Sequence, residues 1–184
     1  MEIIRIERQR RSRQHQTREE QQRGRAAAPS TRVTPVWQLC WEGRLDEVRA
    51  ALTKGRNVNS SKGNTTGLMG ALSNHHNSTV RLLLEQPTVD LNGTDALGKT
   101  ALHQAAESDN VEGVRLLLAD SRLSSANRRD KAGNTPVMLA LARNQVDSLR
   151  ELVAHPSVDL DIKDKEARSL EEKARWVLKL YIMV

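Results

Sequence analysis

The strongest constraint on how this chain can fold is that it repeats itself. Thr34-Pro35-Val36-Trp37, Thr66-Gly67-Leu68-Met69, Thr100-Ala101-Leu102-His103 and Thr135-Pro136-Val137-Met138 stand 32, 34 and 35 residues apart, and Ser169 follows Thr135 by 34. A period in this range means stacked supersecondary units rather than one closed core. Residue types also recur at fixed depth behind each anchor. Five positions on come Ala71, Ala105, Ala140 and Ala174, with Leu39 in the first unit; small side chains at one depth point to close approach between neighbouring helices. Nine positions on come Gly43, His75, Asp109 and Asn144. These types enter positive φ at lower cost than β-branched residues, so a tight turn should follow a two-turn helix.

Apolar residues then return at i, i+3, i+4, as Val48, Ala51 and Leu52, then Val80, Leu83 and Leu84, then Val114, Leu117 and Leu118, then Leu149, Leu152 and Val153. That spacing is one face of an α-helix. A loop with a single inward apolar position closes each unit, at Val58-Asn59, Leu91-Asn92, Ala126-Asn127 and Leu160-Asp161. Each unit therefore reads helix, turn, helix, extended loop. The anchor hydroxyl at Thr34, Thr66, Thr100 and Thr135 can accept a free backbone N–H at a helix start, worth about 1 kcal/mol. Pro35 and Pro136 suit the first helical position. Asp95 with Gly98, Asp130 with Gly133, and Asp164 with Ala167 are turn formers at loop tips. The second unit has Ser61 and Asn64 in those places, so its tip should be altered.

These residues resemble ankyrin repeats, with Gly98-Lys99-Thr100-Ala101-Leu102-His103-Gln104-Ala105-Ala106 and Val114-Arg115-Leu116-Leu117-Leu118 the best match and residues 34 to 175 covered. The resemblance implies an all-α solenoid of stacked helix-turn-helix units with projecting loops or β-hairpins, and a concave face that binds other proteins without catalysis. It places a repeat domain at 33–184, with units near 34–60, 61–94, 95–129 and 130–163 and a partial unit at 164–184, behind an arm at 1–32. At the loop tips the positions that the family exposes carry Lys62 and Thr65, Leu97 and Lys99, Lys131 and Asn134, and Lys165. On the first helices they carry Ser73, Asn74, Glu107, Ser108 and Arg143. The recurring lysine reads either as a row favouring an acidic partner or as a solubilising charge row. Trp41 reads as a partner anchor or as a cap on the N-terminal end of the core, covered by part of the arm. His103 stands at the family's His position, which implies a hydrogen-bonded role tying adjacent loops.

Composition agrees with a thin, aliphatic structure, because there is no Phe, one Tyr and three Trp against 23 Leu. Charge is uneven. Residues 1–32 hold nine Arg and four Glu, leaving 20 bases against 19 acids in the rest. A basic arm on a nearly neutral body disfavours a uniformly basic nucleic-acid domain. The arm is almost free of apolar residues from Ile6 to Ala26, so it is expected to be disordered or marginally helical. Its Arg8 to Arg13 cluster reads as a nuclear-import signal or a solvated arm. In the alternative function, residues 5–32 neutralise nucleic-acid phosphates and the repeats act as a recruiting platform.

Nothing in the sequence points to catalysis, a cofactor or a metal. Cys40 is the single cysteine, which permits no internal disulfide and fits a reducing, intracellular compartment, cytoplasmic or nuclear; it reads as core rather than nucleophile. His75 and His76 are adjacent and should point apart. Gly67 and Gly70 lack the pattern of a phosphate loop. No apolar run reaches the roughly 20 residues of a membrane-crossing helix. Ser169 with Glu172 makes a capping-box pattern, after which Leu170, Ala174, Val177, Leu178, Tyr181 and Ile182 follow helical spacing. Trp176, Leu180 and Met183 fill the other sides of that wheel, so this last helix should seal the stack imperfectly, meet a partner or further chain, or self-associate.

Overall fold

The computed structural model describes residues 33–162; the expectations for the arm at 1–32, for the final helix, and for Lys165 and Ser169 lie outside the described residues. The described residues form eight helices and one small hairpin. First and second helices alternate as α1 (Val36–Trp41), α2 (Leu45–Thr53), α3 (Gly67–Ser73), α4 (Asn77–Leu84), α5 (Ala101–Glu107), α6 (Val111–Leu118), α7 (Pro136–Ala142) and α8 (Val146–Ala154). Strands β1 (Ser61–Lys62) and β2 (Thr65–Thr66) pair antiparallel between α2 and α3.

No helix here exceeds nine residues, short of the roughly 12–15 at which an isolated helix is even marginal in water. Stacking supplies the difference. The first helices pack on one another as a row α1, α3, α5, α7, and the second helices as a row α2, α4, α6, α8. Leu39, Ala71, Ala105 and Ala140 are all buried between the first helices. In the second helices the leading pair of each apolar triplet is buried: Val48 with Ala51, Val80 with Leu83, Val114 with Leu117, Leu149 with Leu152. The i+4 member is only partly buried at Leu52, Leu84 and Val153, and buried at Leu118.

Each first helix ends in the same turn. Gly43, His75, Asp109 and Asn144 all take positive φ, at 69°, 58°, 56° and 57°. The N–H one residue later then reaches back five residues, from Arg44 to the Leu39 carbonyl, His76 to Ala71, Asn110 to Ala105 and Gln145 to Ala140, at 2.9–3.0 Å. This is the helix-terminating pattern that a left-handed residue permits. The buried alanine row therefore has two functions, packing neighbours and accepting the bond that closes the turn.

The anchor hydroxyls cap three first helices. Thr66, Thr100 and Thr135 accept from the N–H of Met69, His103 and Met138 at 3.3–3.4 Å. Thr34 departs from that expectation. Helix α1 begins one residue later, with Pro35 as its N-cap rather than its first residue and no side-chain cap of its own. The Ser60 Oγ accepts from the Trp37 N–H at 2.9 Å instead, and the Thr34 carbonyl accepts from Arg56 Nη2 at 2.7 Å. The altered tip of the second unit is the β1–β2 hairpin, with Gly63 and Asn64 both at positive φ, as a two-residue type I′ turn requires. At the corresponding tips Asp95 Oδ1 accepts from the Leu97 and Lys99 N–H, and Asp130 Oδ1 from the Asn134 N–H.

Replacing Leu118 by Ala should cost about 2–5 kcal/mol of unfolding free energy, and Leu84→Ala, at a half-buried site, should fall below it. Urea melts of the two variants against the parent check the order.

Candidate protein-interaction surface

Two ladders of side-chain hydrogen bonds hold the units in register. At the turn end, His76 Nε2 donates to the Trp41 carbonyl, Asn110 Nδ2 to that of Leu72 and Gln145 Nε2 to that of Glu107, at 2.9–3.1 Å. Each reaches a carbonyl in the last turn of the preceding unit's first helix, where intrahelical donors run out. At the loop end, Asn59, Asn92 and Asn127 each grip the next loop with both ends of the amide. Their Nδ2 groups donate to the carbonyls of Thr88, Arg122 and Ser157, and their Oδ1 atoms accept from the N–H of Asp90, Ser124 and Asp159, at 2.7–2.9 Å. Arg122 adds a clasp of its own: Nη2 donates to the Leu84 carbonyl and Nη1 to that of Gln86, while Asp120 holds the guanidinium. That contact keeps the Asp120 carboxyl below the ordinary carboxylate range.

His103 ties the tip of the third unit to the fourth. Its Nδ1 accepts from the Thr100 N–H at 3.1 Å and from the Thr100 hydroxyl at 2.8 Å, so the ring proton sits on Nε2, which donates to the Asn134 carbonyl at 3.0 Å. Burial pushes this imidazole below its ordinary pKa, against the pull of the Asn134 carbonyl and Asp130. Burial also opposes ionisation of Asp130, but the N–H and side-chain amide of Asn134 outweigh it and hold that carboxyl low.

On this frame the residues singled out in the sequence fall into two groups. One group is bonded within the molecule. Glu107 accepts from Lys99 Nζ at 2.5 Å and from Arg143, linking a loop tip to α5 and to the end of α7. Ser73 Oγ donates to Gln104 Oε1, whose amide donates to Asp95 Oδ2. Asn74 donates to the Gly70 carbonyl, Ser108 Oγ to that of Gln104, and Asn134 is engaged with Asp130 and His103. Lys99 is thereby withdrawn from any row of free cations. The other group faces outward. Lys62 and Lys131 are exposed at their tips, and no acidic side chain among the described residues pairs with either. Leu97 is 59% exposed and Trp41 48%. The half-buried Thr65 lies in a cleft beside Trp41.

That cleft is formed by Trp37, Trp41, Lys62, Gly63, Thr65 and Thr66, with a volume of about 470 Å³. Lys62 Nζ stands 5.4 Å from the centroid of the Trp37 ring, within cation–π range. The two glycines of α3 are explained by α1, not by a phosphate. A Cβ on Gly67 would meet Cys40 Sγ at 2.9 Å, and one on Gly70 would meet Trp41 Cε3 at 2.8 Å. Cys40 is fully buried and its thiol is pushed up to about 12 by burial, the opposite of a nucleophile's requirement. His75 and His76 do point apart, His75 to the Ser108 carbonyl and His76 to that of Trp41. Among the described residues no group of three His, Cys, Asp or Glu side chains is placed to hold a metal, and no helix is long and apolar enough to cross a membrane.

Paired short helices in two stacked rows, turned by a left-handed residue and joined through projecting tips, define a repeat solenoid. The family model for ankyrin repeats matches in three copies over residues 36–130 and 68–165, and the chain belongs to the ankyrin-repeat family. Such repeats are in general protein–protein interaction modules, and the family is typically non-enzymatic. The chain is 29% identical over 154 residues to an ankyrin repeat protein of fowlpox virus (strain NVSL), covering 73% of this chain and 44% of that one. It is 27% identical to alpha-latrotoxin-Lg1a of Latrodectus geometricus over 65% of this chain and 9% of the toxin, and 32% identical to rabankyrin-5 of Mus musculus over 38% and 6%. It spans less than half the length of each of these relatives.

The depressed pKa of His103 has a sign. As pH falls through about 6.5 the unfolded chain takes up a proton that the folded chain still refuses, so stability is lost from there down to the lower folded pKa. The carboxylates of Asp120 and Asp130 act in the same direction only below about pH 4. Urea melts at pH 7.5, 6 and 5 should show stability falling in the parent. His103→Met, the residue that Met69 and Met138 supply at this position in their units, should flatten that slope.

Proposed function

We propose that the chain is a non-enzymatic, intracellular scaffold or adaptor whose repeat domain, residues 33–184, docks a partner protein with an acidic surface across its loop tips and first helices. What carries this reading is the pair of exposed amines at Lys62 and Lys131, neither ion-paired among the described residues, beside the exposed Leu97 and Trp41. Charge and apolar anchors thus sit together on the tips and the first-helix face. Among the described residues singled out for binding, Lys62, Lys99, Lys131 and Arg143 stand against Glu107 alone, so the net field there is positive. A positive face speeds encounter with an acidic partner and raises the salt dependence of association. The polar residues bonded within the molecule serve as a rigid support for that face.

The test uses the full chain and its Lys62→Glu/Lys131→Glu variant, both as bait and then in binding kinetics with a recovered partner. The variant should lose about tenfold or more in affinity near physiological salt, chiefly through slower association. Equal affinity of the two proteins would overturn the reading. Loss of the same partner on deleting residues 1–32 instead would put binding on the arm.

A further inference from the structure

We infer that the Trp37–Trp41 cleft is a discrete docking pocket for an apolar side chain flanked by carboxylates, carried on an acidic segment of a partner protein; this rests on the reading of the first-helix face as a partner surface. The fold gives up helix propensity beside the Trp41 ring. A glycine inside a helix costs about 1 kcal/mol relative to alanine, yet α3 carries Gly70 directly against Trp41. Gly70 gives the Trp41 ring a floor with no side chain, and the ring nevertheless remains 48% exposed.

The second argument is charge. The cleft walls are two indoles, and its one charged group is Lys62, whose ammonium lies over the Trp37 ring with no carboxylate paired to it among the described residues. Cation–π contact holds the amine in place without neutralising it. An entering carboxylate would complete the pair on the open side of the ammonium, while an apolar side chain packs against Trp41. Single-stranded nucleic acid fits less well. A tract that follows a phosphate backbone uses a row of cations, and this cleft has one, with one ring face covered by Lys62 and another resting on Gly70.

The experiment titrates the full chain, near physiological salt, with fluorescent six-residue peptides of aspartate and glutamate that carry one central leucine or one central alanine. The two peptides have equal charge, so attraction to the Arg-rich arm is common to both and their difference reports the cleft. The leucine peptide should bind about tenfold more tightly than the alanine peptide, and that difference should vanish in Trp41→Ala. Lys62→Glu should weaken the leucine peptide about tenfold. Lys62 is exposed, so this variant should keep the parent melting curve. Gly70→Ala keeps every lining side chain but forces the Trp41 ring to move off its Cβ; it should weaken the leucine peptide. Equal binding of the two peptides, or variants that bind like the parent, would overturn the inference. So would tighter binding of an oligothymidine that Trp41→Ala abolishes. If the cleft variants keep a recovered partner while Lys131→Glu loses it, the pocket fails and the wider surface stands.

Discussion

Everything in this molecule depends on each unit satisfying backbone groups that its neighbour leaves open. A seven-residue helix has almost as many unsatisfied N–H and C=O groups as satisfied ones, and burying them unpaired would cost more than the apolar contacts return. The solution repeats along the chain. His76, Asn110 and Gln145 cover first-helix carbonyls of the preceding unit at one end, and Asn59, Asn92 and Asn127 join successive loops at the other. Apolar stacking of the alanine row and the Val/Leu pairs supplies the driving force, while the amide ladders set the register. A slip of one residue would leave an orphan group at both ends of a unit.

This division explains what was legible in the sequence. Periodicity, the left-handed turn residues and the anchor threonines are properties of single units, so they repeat in register and can be counted along the chain. Gly43, His75, Asp109 and Asn144 look unlike one another, yet they share the backbone conformation that their common position requires. The ladders are properties of pairs of units. Asn59, Asn92 and Asn127 are visible as recurring asparagines, but their bonds reach some 30 residues ahead, and the turn ladder uses three different residue types with a long polar arm. A signal was present, in that every residue of the turn ladder stands ten positions after its anchor. Only the superposed units reveal that its chemistry, a side-chain donor, is what recurs.

The face offered to partners was legible to a lesser degree, because exposure and availability differ. The lysine row is regular in sequence, yet Lys99 is bound to Glu107 while Lys62 and Lys131 are not. Glu107 accepts one cation from the tip of its own unit and another from the end of α7 in the next, and that convergence depends on stacking geometry that no spacing rule contains. The pairs on the second helices, Arg81 with Glu112 and Arg115 with Glu151, are more open to solvent and contribute little to stability individually. Their place is along the outer row, where they add alignment rather than strength.

The first unit departs from the repeat at its leading edge. Thr34 does not cap α1, and the loop leading into β1 supplies the acceptor instead, Ser60 Oγ accepting from the Trp37 N–H. That substitution draws the β1–β2 hairpin of the next unit against α1, bringing Lys62 over Trp37. The third and fourth tips meet each other instead through the bond from the Lys131 N–H to the Leu97 carbonyl. The indoles of Trp37 and Trp41 line a cleft beside that hairpin, and Gly70 of α3 leaves room for the Trp41 ring. Ser60 on the Trp37 N–H, Lys62 on the Trp37 ring and Gly70 beneath Trp41 thus all converge on α1, the one described first helix that its anchor threonine leaves uncapped.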